Sequence, residues 1–218
     1  MGWLKTYWLF SFDDYYDPEN TNFGNLRVYN DDIIAANSGF PTHPHSEMEI
    51  ITIVLDGELS HEDSSGGKGK IKAGEVQRMS AGNGIMHSEF NNSSNPVHLH
   101  QIWITPNKQD LKPSYSQKDF SKLLKKNSLT LIASGKKEKN ALQIQANASI
   151  SRGTLAKGKS LKLKIKPSSK VFVYVIEGTL DVNGQAFGKN DQARISAEKA
   201  LSLKAKSKCD FILIESWN

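Results

Sequence analysis

The sequence predicts an all-β protein, built as two small antiparallel barrels in tandem with a short connecting helix. Three observations carry this expectation. Most of the 218 residues read as short apolar runs broken by Gly, Asn, Asp and Pro, the pattern of short strands and turns. A stretch of the first half returns in degenerate form in the second. The charge also divides the chain into two unlike parts.

The strands come first. Residues 50–55, 97–104, 171–176 and 211–214 are dense in Ile, Val, Leu and Phe, which suit a pleated, half-buried surface. Leu161-Lys162-Leu163-Lys164-Ile165-Lys166 alternates with period two, so its apolar side chains face a core and its lysines face water. Leu203-Lys204-Ala205-Lys206 repeats the habit. The one helix signal follows Ser116, where Asp119 gives a capping-box spacing and Phe120, Leu123 and Leu124 share a face. That segment is the expected connector between a first domain, 1–120, and a second, 121–218.

The repeat is specific. Ile53-Val54-Leu55-Asp56-Gly57-Glu58-Leu59 matches residues 174–180, and Glu75-Val76-Gln77-Arg78-Met79-Ser80-Ala81 matches residues 191–197. The first offset is 121 and the second 116. The difference falls in a turn, which is long in Ser64-Ser65-Gly66-Gly67-Lys68-Gly69 and short in Asn183-Gly184. The glycine-rich turn lacks the strand-to-helix context of a phosphate loop, and is expected to be a hairpin loop.

Charge and composition exclude several classes. The net charge is +5, yet residues 1–115 hold 8 Lys+Arg against 15 Asp+Glu, and residues 116–218 hold 20 against 8. The lysines of the basic half alternate with apolar residues and are not interleaved with aromatics, so no direct nucleic-acid binding is expected. No apolar run approaches the roughly 18 residues of a membrane-spanning helix. The single Cys209 excludes a disulfide scaffold and a cysteine-based zinc site, and reads as a small buried apolar residue. Met1-Gly2 with Thr6 matches the loose myristoylation pattern, which is common by chance. No apolar signal segment follows Met1, so a cytoplasmic protein is expected.

Chemistry enters with the histidines. Three of the six stand with one glutamate in two close pairs, His43-Pro44-His45 and His87-Ser88-Glu89. Residues i and i+2 of a strand share a face, so each pair can send two ligands into one barrel. One such pair would be explained by packing; two in one candidate barrel, each near a glycine-rich turn, point to a metal. Three imidazoles and a carboxylate suit a divalent first-row metal, with Fe(II) the expected occupant and Mn, Ni, Co, Cu or Zn open on donor type. The repeat offsets carry His43 and His45 onto Lys164 and Lys166, and His87 and Glu89 onto Leu203 and Ala205. The second barrel is therefore expected to bind no metal. His98 and His100 share a strand face but have no evident acidic partner, and are expected to be surface or supporting groups. His61 is expected to be solvated. Phe40 and Trp103 are expected in the core or a pocket wall.

Residues 39–49, Gly39-Phe40-Pro41-Thr42-His43-Pro44-His45-Ser46-Glu47-Met48-Glu49, resemble the first cupin motif, and the stretch from Gly74 through Met79-Ser80-Ala81-Gly82 to His87-Ser88-Glu89-Phe90-Asn91 resembles the second. Their wording resembles the pirin family, as do Gly2-Trp3-Leu4-Lys5, Phe10-Ser11-Phe12, Tyr15-Tyr16-Asp17-Pro18, Phe23-Gly24 with Leu26-Arg27-Val28, and Gln101-Ile102-Trp103-Ile104. The resemblance is dense over residues 2–120. It implies a bicupin whose first barrel binds iron through His43, His45, His87 and Glu89. Glu49 stands where many other cupins keep a glutamate ligand; it is not assigned to the metal, and is expected to orient an imidazole N–H.

The resemblance also implies quercetin 2,3-dioxygenase activity, opening a flavonol with O2 and releasing carbon monoxide. Glu89 is the candidate catalytic base for the substrate proton. The substrate-binding residues are not identifiable from the sequence. The family implies a second reading too: a redox-sensing regulator that acts through contact with a protein partner. Relatives usually carry a few residues before Gly-Trp-Leu-Lys, and many have His-Thr where this chain has Trp8-Leu9; neither difference touches a candidate ligand.

Overall fold

The structure, a computed structural model, describes residues 2–217. Met1, the first residue of the myristoylation pattern, lies outside the described residues. Two compact units are present: one runs to Ser121 and takes in Ile144–Ala146, and the other comprises Lys122–Gln143 and the chain from Asn147. No helix among the described residues is long and apolar enough to cross a membrane.

The first unit contains strands β1 (Leu4–Trp8), β2 (Leu26–Ile34), β3 (Ser38–His45), β4 (Glu49–Asp56), β5 (Glu58–Asp63), β6 (Lys68–Lys72), β7 (Glu75–Ser80), β8 (Ile85–Asn91), β9 (Val97–Ile104) and β10 (Ser114–Asp119). They form a six-stranded sheet, β1-β2-β9-β4-β7-β10, and a four-stranded sheet, β3-β8-β5-β6. Residues 49–54 of β4 are buried on both faces, which its β-branched run suits. The interior is layered. One end is apolar, with Ile34, Val54, Leu59, Ile71, Val97 and Leu99, and Ile50, Met79, Ala81 and Ile85 form a second apolar cluster. Between them along the strands stand buried polar residues: Thr52 on β4, Gln77 on β7, His87 and Glu89 on β8, and Gln101 on β9.

The second unit contains β11 (Ser128–Ser134), β12 (Leu142–Gln143), β13 (Ala148–Leu155), β14 (Ser160–Lys164), β15 (Lys170–Glu177), β16 (Leu180–Val182), β17 (Gln185–Phe187), β18 (Gln192–Ser196), β19 (Ala200–Ala205) and β20 (Cys209–Ser216). Its sheets run β12-β11-β13-β20-β15-β18 and β14-β19-β16-β17. The expected alternation holds, with Lys162, Lys164 and Lys204 exposed and Leu161, Leu163 and Leu203 turned to the core. Cys209 is buried in that core.

The repeat is visible in the strand registers. Ile53 pairs with Val76 and Ile51 with Arg78; Tyr174 pairs with Gln192 and Phe172 with Arg194. The ligand positions, however, map differently from expectation. His43 faces His87 and His45 faces Ile85, whereas Leu161 faces Leu203 and Leu163 faces Leu201. The counterparts of His43 and His45 are thus Leu161 and Leu163, not Lys164 and Lys166. The link from β14 to β15 is longer than that from β3 to β4, and the three-residue shift, being odd, reverses the face.

The expected connecting helix is a strand. Ser114–Asp119 pair along the open edge of β7, from Ser114 opposite Ser80 to Asp119 opposite Glu75. The ladder satisfies backbone groups that a helix would leave bare on β7. The Asp119 carboxylate accepts from the Ser121 amide at 2.7 Å, and the Phe120 amide donates to the Gly74 carbonyl at 3.0 Å. Among the described residues the only helical element is the 3-10 turn Pro18–Asn20. The glycine-rich turn is the β5–β6 hairpin loop, with Glu62 paired to Lys68.

Close strand approach fixes β3 on β8. A Cβ on Gly39 would meet the Glu89 carbonyl oxygen and lie 2.6 Å from Phe90 Cα. Gly39→Ala is expected to destabilise the protein by about 1–3 kcal/mol in urea unfolding; unchanged stability would contradict this packing.

Candidate metal centre

β3 lies at the edge of its sheet, paired only with β8, which is where Pro41 and Pro44 are tolerated. A register irregularity between Phe40 and His43 re-aims the strand end. His43 and His45 then share a face opposite His87. One donor nitrogen from each of the three lies within 4.8 Å of the others. His43 Nε2 and His87 Nε2 are 2.9 Å apart. His43 Nδ1 is 2.8 Å from the Pro41 carbonyl, which can only accept, so Nδ1 carries the proton and Nε2 keeps a lone pair.

His45 and His87 are neutral at pH 7. Burial lowers the pKa of His45 to about 4, with His87 and His43 adding to the effect and Glu89 opposing it. Burial lowers His87 to about 3, with His43 and His61 adding and Asp63 opposing. At 2.9 Å the two Nε2 atoms repel unless His87 carries its proton there or a cation lies between them. With metal–nitrogen bonds near 2.0–2.1 Å, two imidazoles at a right angle stand about 3.0 Å apart. The site fits a transition metal on that ground. A cavity of about 410 Å³ opens beside His45, bordered by Pro44, Ser64, Ile85 and Met86.

Glu89 is held differently. Its buried carboxylate accepts from Gln101 Nε2 at 2.6 Å and from the Thr52 hydroxyl at 3.3 Å. Gln101 is itself oriented, because its Oε1 accepts the Trp103 indole N–H at 3.1 Å. Glu89 groups with His61 and His87, while the other cluster holds His43, His45 and His87. The structure therefore converges the three expected imidazoles and sets the carboxylate in an adjoining group that shares His87. Gln77, opposite Thr52 in the sheet, is fully buried with neither amide atom paired among the described residues. Such an orphan calls for water or a bound group.

Several expectations are corrected. His61 is 2% exposed, with its Nε2 2.9 Å from Asp63 Oδ2 and its Nδ1 3.5 Å from His87 Nδ1. Glu49 orients no imidazole: it points to the opposite face of β4 from Thr52, where it accepts from the Ser80 hydroxyl at 2.9 Å. His98 and His100 do have an acidic partner. Asp31 lies opposite His100 on β2, and its carboxylate accepts from His98 Nε2 at 2.6 Å and lies 3.5 Å from His100 Nε2. This group is on the sheet face away from the metal centre, and His100 is fully buried. Phe40 and Trp103 do form walls, at 6.3 Å from the His43 ring and 4.8 Å from the His45 ring. Sequence reasoning missed Thr52, Gln101, His61 and Asp63; His61-Glu62-Asp63 carried the same i, i+2 signal as the recognised pairs.

Comparison with known proteins supplies the family. Residues 1–104 match the Pirin family profile, and residues 131–216 match that of the quercetinase C-terminal cupin domain. The chain is 40% identical over 215 residues to an Escherichia coli K12 protein named quercetin 2,3-dioxygenase, covering 98% of this chain and 92% of that one. It is 40% identical over 216 residues to a pirin-like protein of Caulobacter vibrioides, covering 99% and 93%. The structure of the Escherichia coli pirin YhhW in complex with nickel(II) superposes with a TM-score of 0.94 at 39% identity, over 99% of this chain and 93% of that one. Two tandem small barrels with converging imidazoles in the first define a bicupin. The chain belongs to the pirin family.

One buried acid gives a pH prediction. Asp32 is 3% exposed. Burial pushes its pKa up to about 7, with Glu89 and Asp31 adding to the effect and Thr6 and His98 opposing it. A raised carboxyl leaves the fold unpenalised below pH 4 and costs stability as pH rises toward 7. The stability advantage of apo Asp32→Asn over the wild type should grow between pH 4 and 7 and level off above. Urea midpoints measured across that range check it, and a constant difference would contradict the raised pKa.

Proposed function

We propose that the protein is a metal-dependent, ring-cleaving flavonol dioxygenase of the quercetin 2,3-dioxygenase type, opening the flavonol with O2 and releasing carbon monoxide. One observation carries the reading: three imidazole nitrogens converge beside an open cavity, in a chain 40% identical to a protein named for that activity. His43, His45 and His87 hold one divalent metal, with Glu89 completing the set. Fe(II) is the expected occupant on mixed nitrogen and oxygen donors, and the relative's nickel is compatible with the same donors. When bound, such a metal supplies Lewis acidity toward the substrate's 3-hydroxyl oxygen.

The chain's own residues do the rest. Pro44, Ile85 and the 42% exposed Met86 offer apolar surface to flat aromatic rings. Glu89 accepts the 3-hydroxyl proton on its carboxylate, while Gln101 and Thr52 fix the direction of its lone pairs.

The test is loss of the flavonol absorbance band under air with metal-loaded protein. Turnover is expected in the wild type and should fall by about 100-fold or more in His43→Ala. No turnover with metal bound, or full turnover in His43→Ala, would overturn the proposal. Glu89→Gln is expected to retain metal and lose about 100-fold in rate; full turnover with metal bound would remove the base role.

A further inference from the structure

His87, on β8, faces a ring nitrogen on each side. On one side its Nε2 is 2.9 Å from His43 Nε2; on the other its Nδ1 is 3.5 Å from His61 Nδ1. The outer two rings have their protons committed elsewhere. His43 donates Nδ1–H to the Pro41 carbonyl, and His61 donates Nε2–H to Asp63. Each junction therefore presents one lone pair from the outer ring, and neutral His87 has one proton to give to one of the two. On Nδ1, the proton bonds His61 and leaves Nε2 bare toward His43 and His45. On Nε2, it blocks that side and strands a lone pair on His61.

Burial decides between the two. His61 is 2% exposed, and a buried acceptor without a donor loses its hydration with nothing in return. His43 is only half-buried, so its side can take water or a cation. Asp63 makes the arrangement directional. Its Oδ1 accepts from the Ser65 amide at 2.9 Å, the Ser65 hydroxyl at 2.6 Å and the Gly67 amide at 3.0 Å. Its Oδ2 alone faces His61. A Cβ on Gly67 would strike that Oδ2, so the glycine-rich hairpin loop is shaped to hold this carboxylate. Burial opposes ionisation of Asp63, but the Ser65 hydroxyl, His61 and the two amides outweigh it and hold its pKa below the usual carboxylate range.

We propose that Asp63 and His61 are positioning residues that hold His87 in its Nδ1–H tautomer and so keep its Nε2 open to the metal. This rests on the reading that His43, His45 and His87 bind that metal. Carboxylates behind a ligating histidine fix its tautomer and raise its basicity; here the carboxylate acts through an intervening imidazole. His61 is on this account not a ligand, although its nitrogen stands near those of His87 and Glu89.

Asp63→Asn tests it sharply. Three donors surround the Oδ1 position, so the asparagine oxygen must sit there and its NH2 must face His61. His61 then accepts at Nε2 and carries its proton on Nδ1, and His87 is driven to the Nε2–H form. Two measurements on the full-length protein follow. Nitrogen-15 NMR of the apo protein should find His87 protonated on Nδ1 in the wild type and on Nε2 in Asp63→Asn. Titration calorimetry with nickel(II) alone should show affinity about 10- to 100-fold weaker in Asp63→Asn, and a larger loss in His45→Ala. An Nε2–H tautomer in the wild type, or unchanged tautomer and affinity in Asp63→Asn, overturns the proposal. So does His61→Ala if it removes nickel as completely as His45→Ala, because His61 would then be a ligand. Nickel binding indifferent to His45→Ala would instead overturn the metal reading, which separates the two failures.

Discussion

The arrangement turns on lone-pair crowding. His43, His45 and His87 bring ring nitrogens together, with one pair 2.9 Å apart, in a place where burial keeps His45 and His87 neutral. With His87 protonated on Nδ1, neutral imidazoles gain nothing from one another in that geometry. A cation then makes it favourable, and the low pKa values of His45 and His87 disfavour an added proton on them. The surrounding structure serves this contact. The irregular end of β3 aims two rings inward, Gly39 lets β3 close on β8, and the Pro41 carbonyl fixes which nitrogen of His43 is bare.

The second barrel shows what the same scaffold looks like without that demand. By strand register, Thr52, Gln77 and Gln101 correspond to Val173, Ala193 and Leu213. His43, His45 and His87 correspond to Leu161, Leu163 and Leu203, and Glu89 to Ala205. His61 and Asp63, opposite Glu89 and His87, correspond to Leu180 and Val182, opposite Ala205 and Leu203. All of these replacements lie in or against one apolar core. The fold therefore needs no polar layer. Each buried polar side chain must find a partner or cost about 1–3 kcal/mol, and Gln77 has found none among the described residues. A layer present despite that cost fits the proposed function.

Strands and the repeat were legible because period-two patterns and turn residues are local signals. The helix after Ser116 was misread because its capping pattern is also local, while the open edge of β7 that claims those residues is not. That His43 and His45, and His87 and Glu89, share a face was legible from i, i+2 spacing, yet their copies were mis-mapped, since a three-residue difference in one link has no mark in the matched segments. The contact of His61 with His87 and the Asp31 group needed knowledge of which strands are neighbours. Asp31 lies 67 residues from His98 in sequence, and only the β2–β9 register joins them. Glu49 failed for a simpler reason: alternation puts it on the wrong face.

The most direct measurement is anomalous diffraction at the metal edge from crystals of the metal-loaded protein. A single peak about 2.1 Å from the Nε2 atoms of His43 and His87, with a nitrogen of His45 in the same shell, is the predicted result. A peak at Asp31, His98 and His100 instead, or full loading with those three imidazoles unbound, would contradict the account.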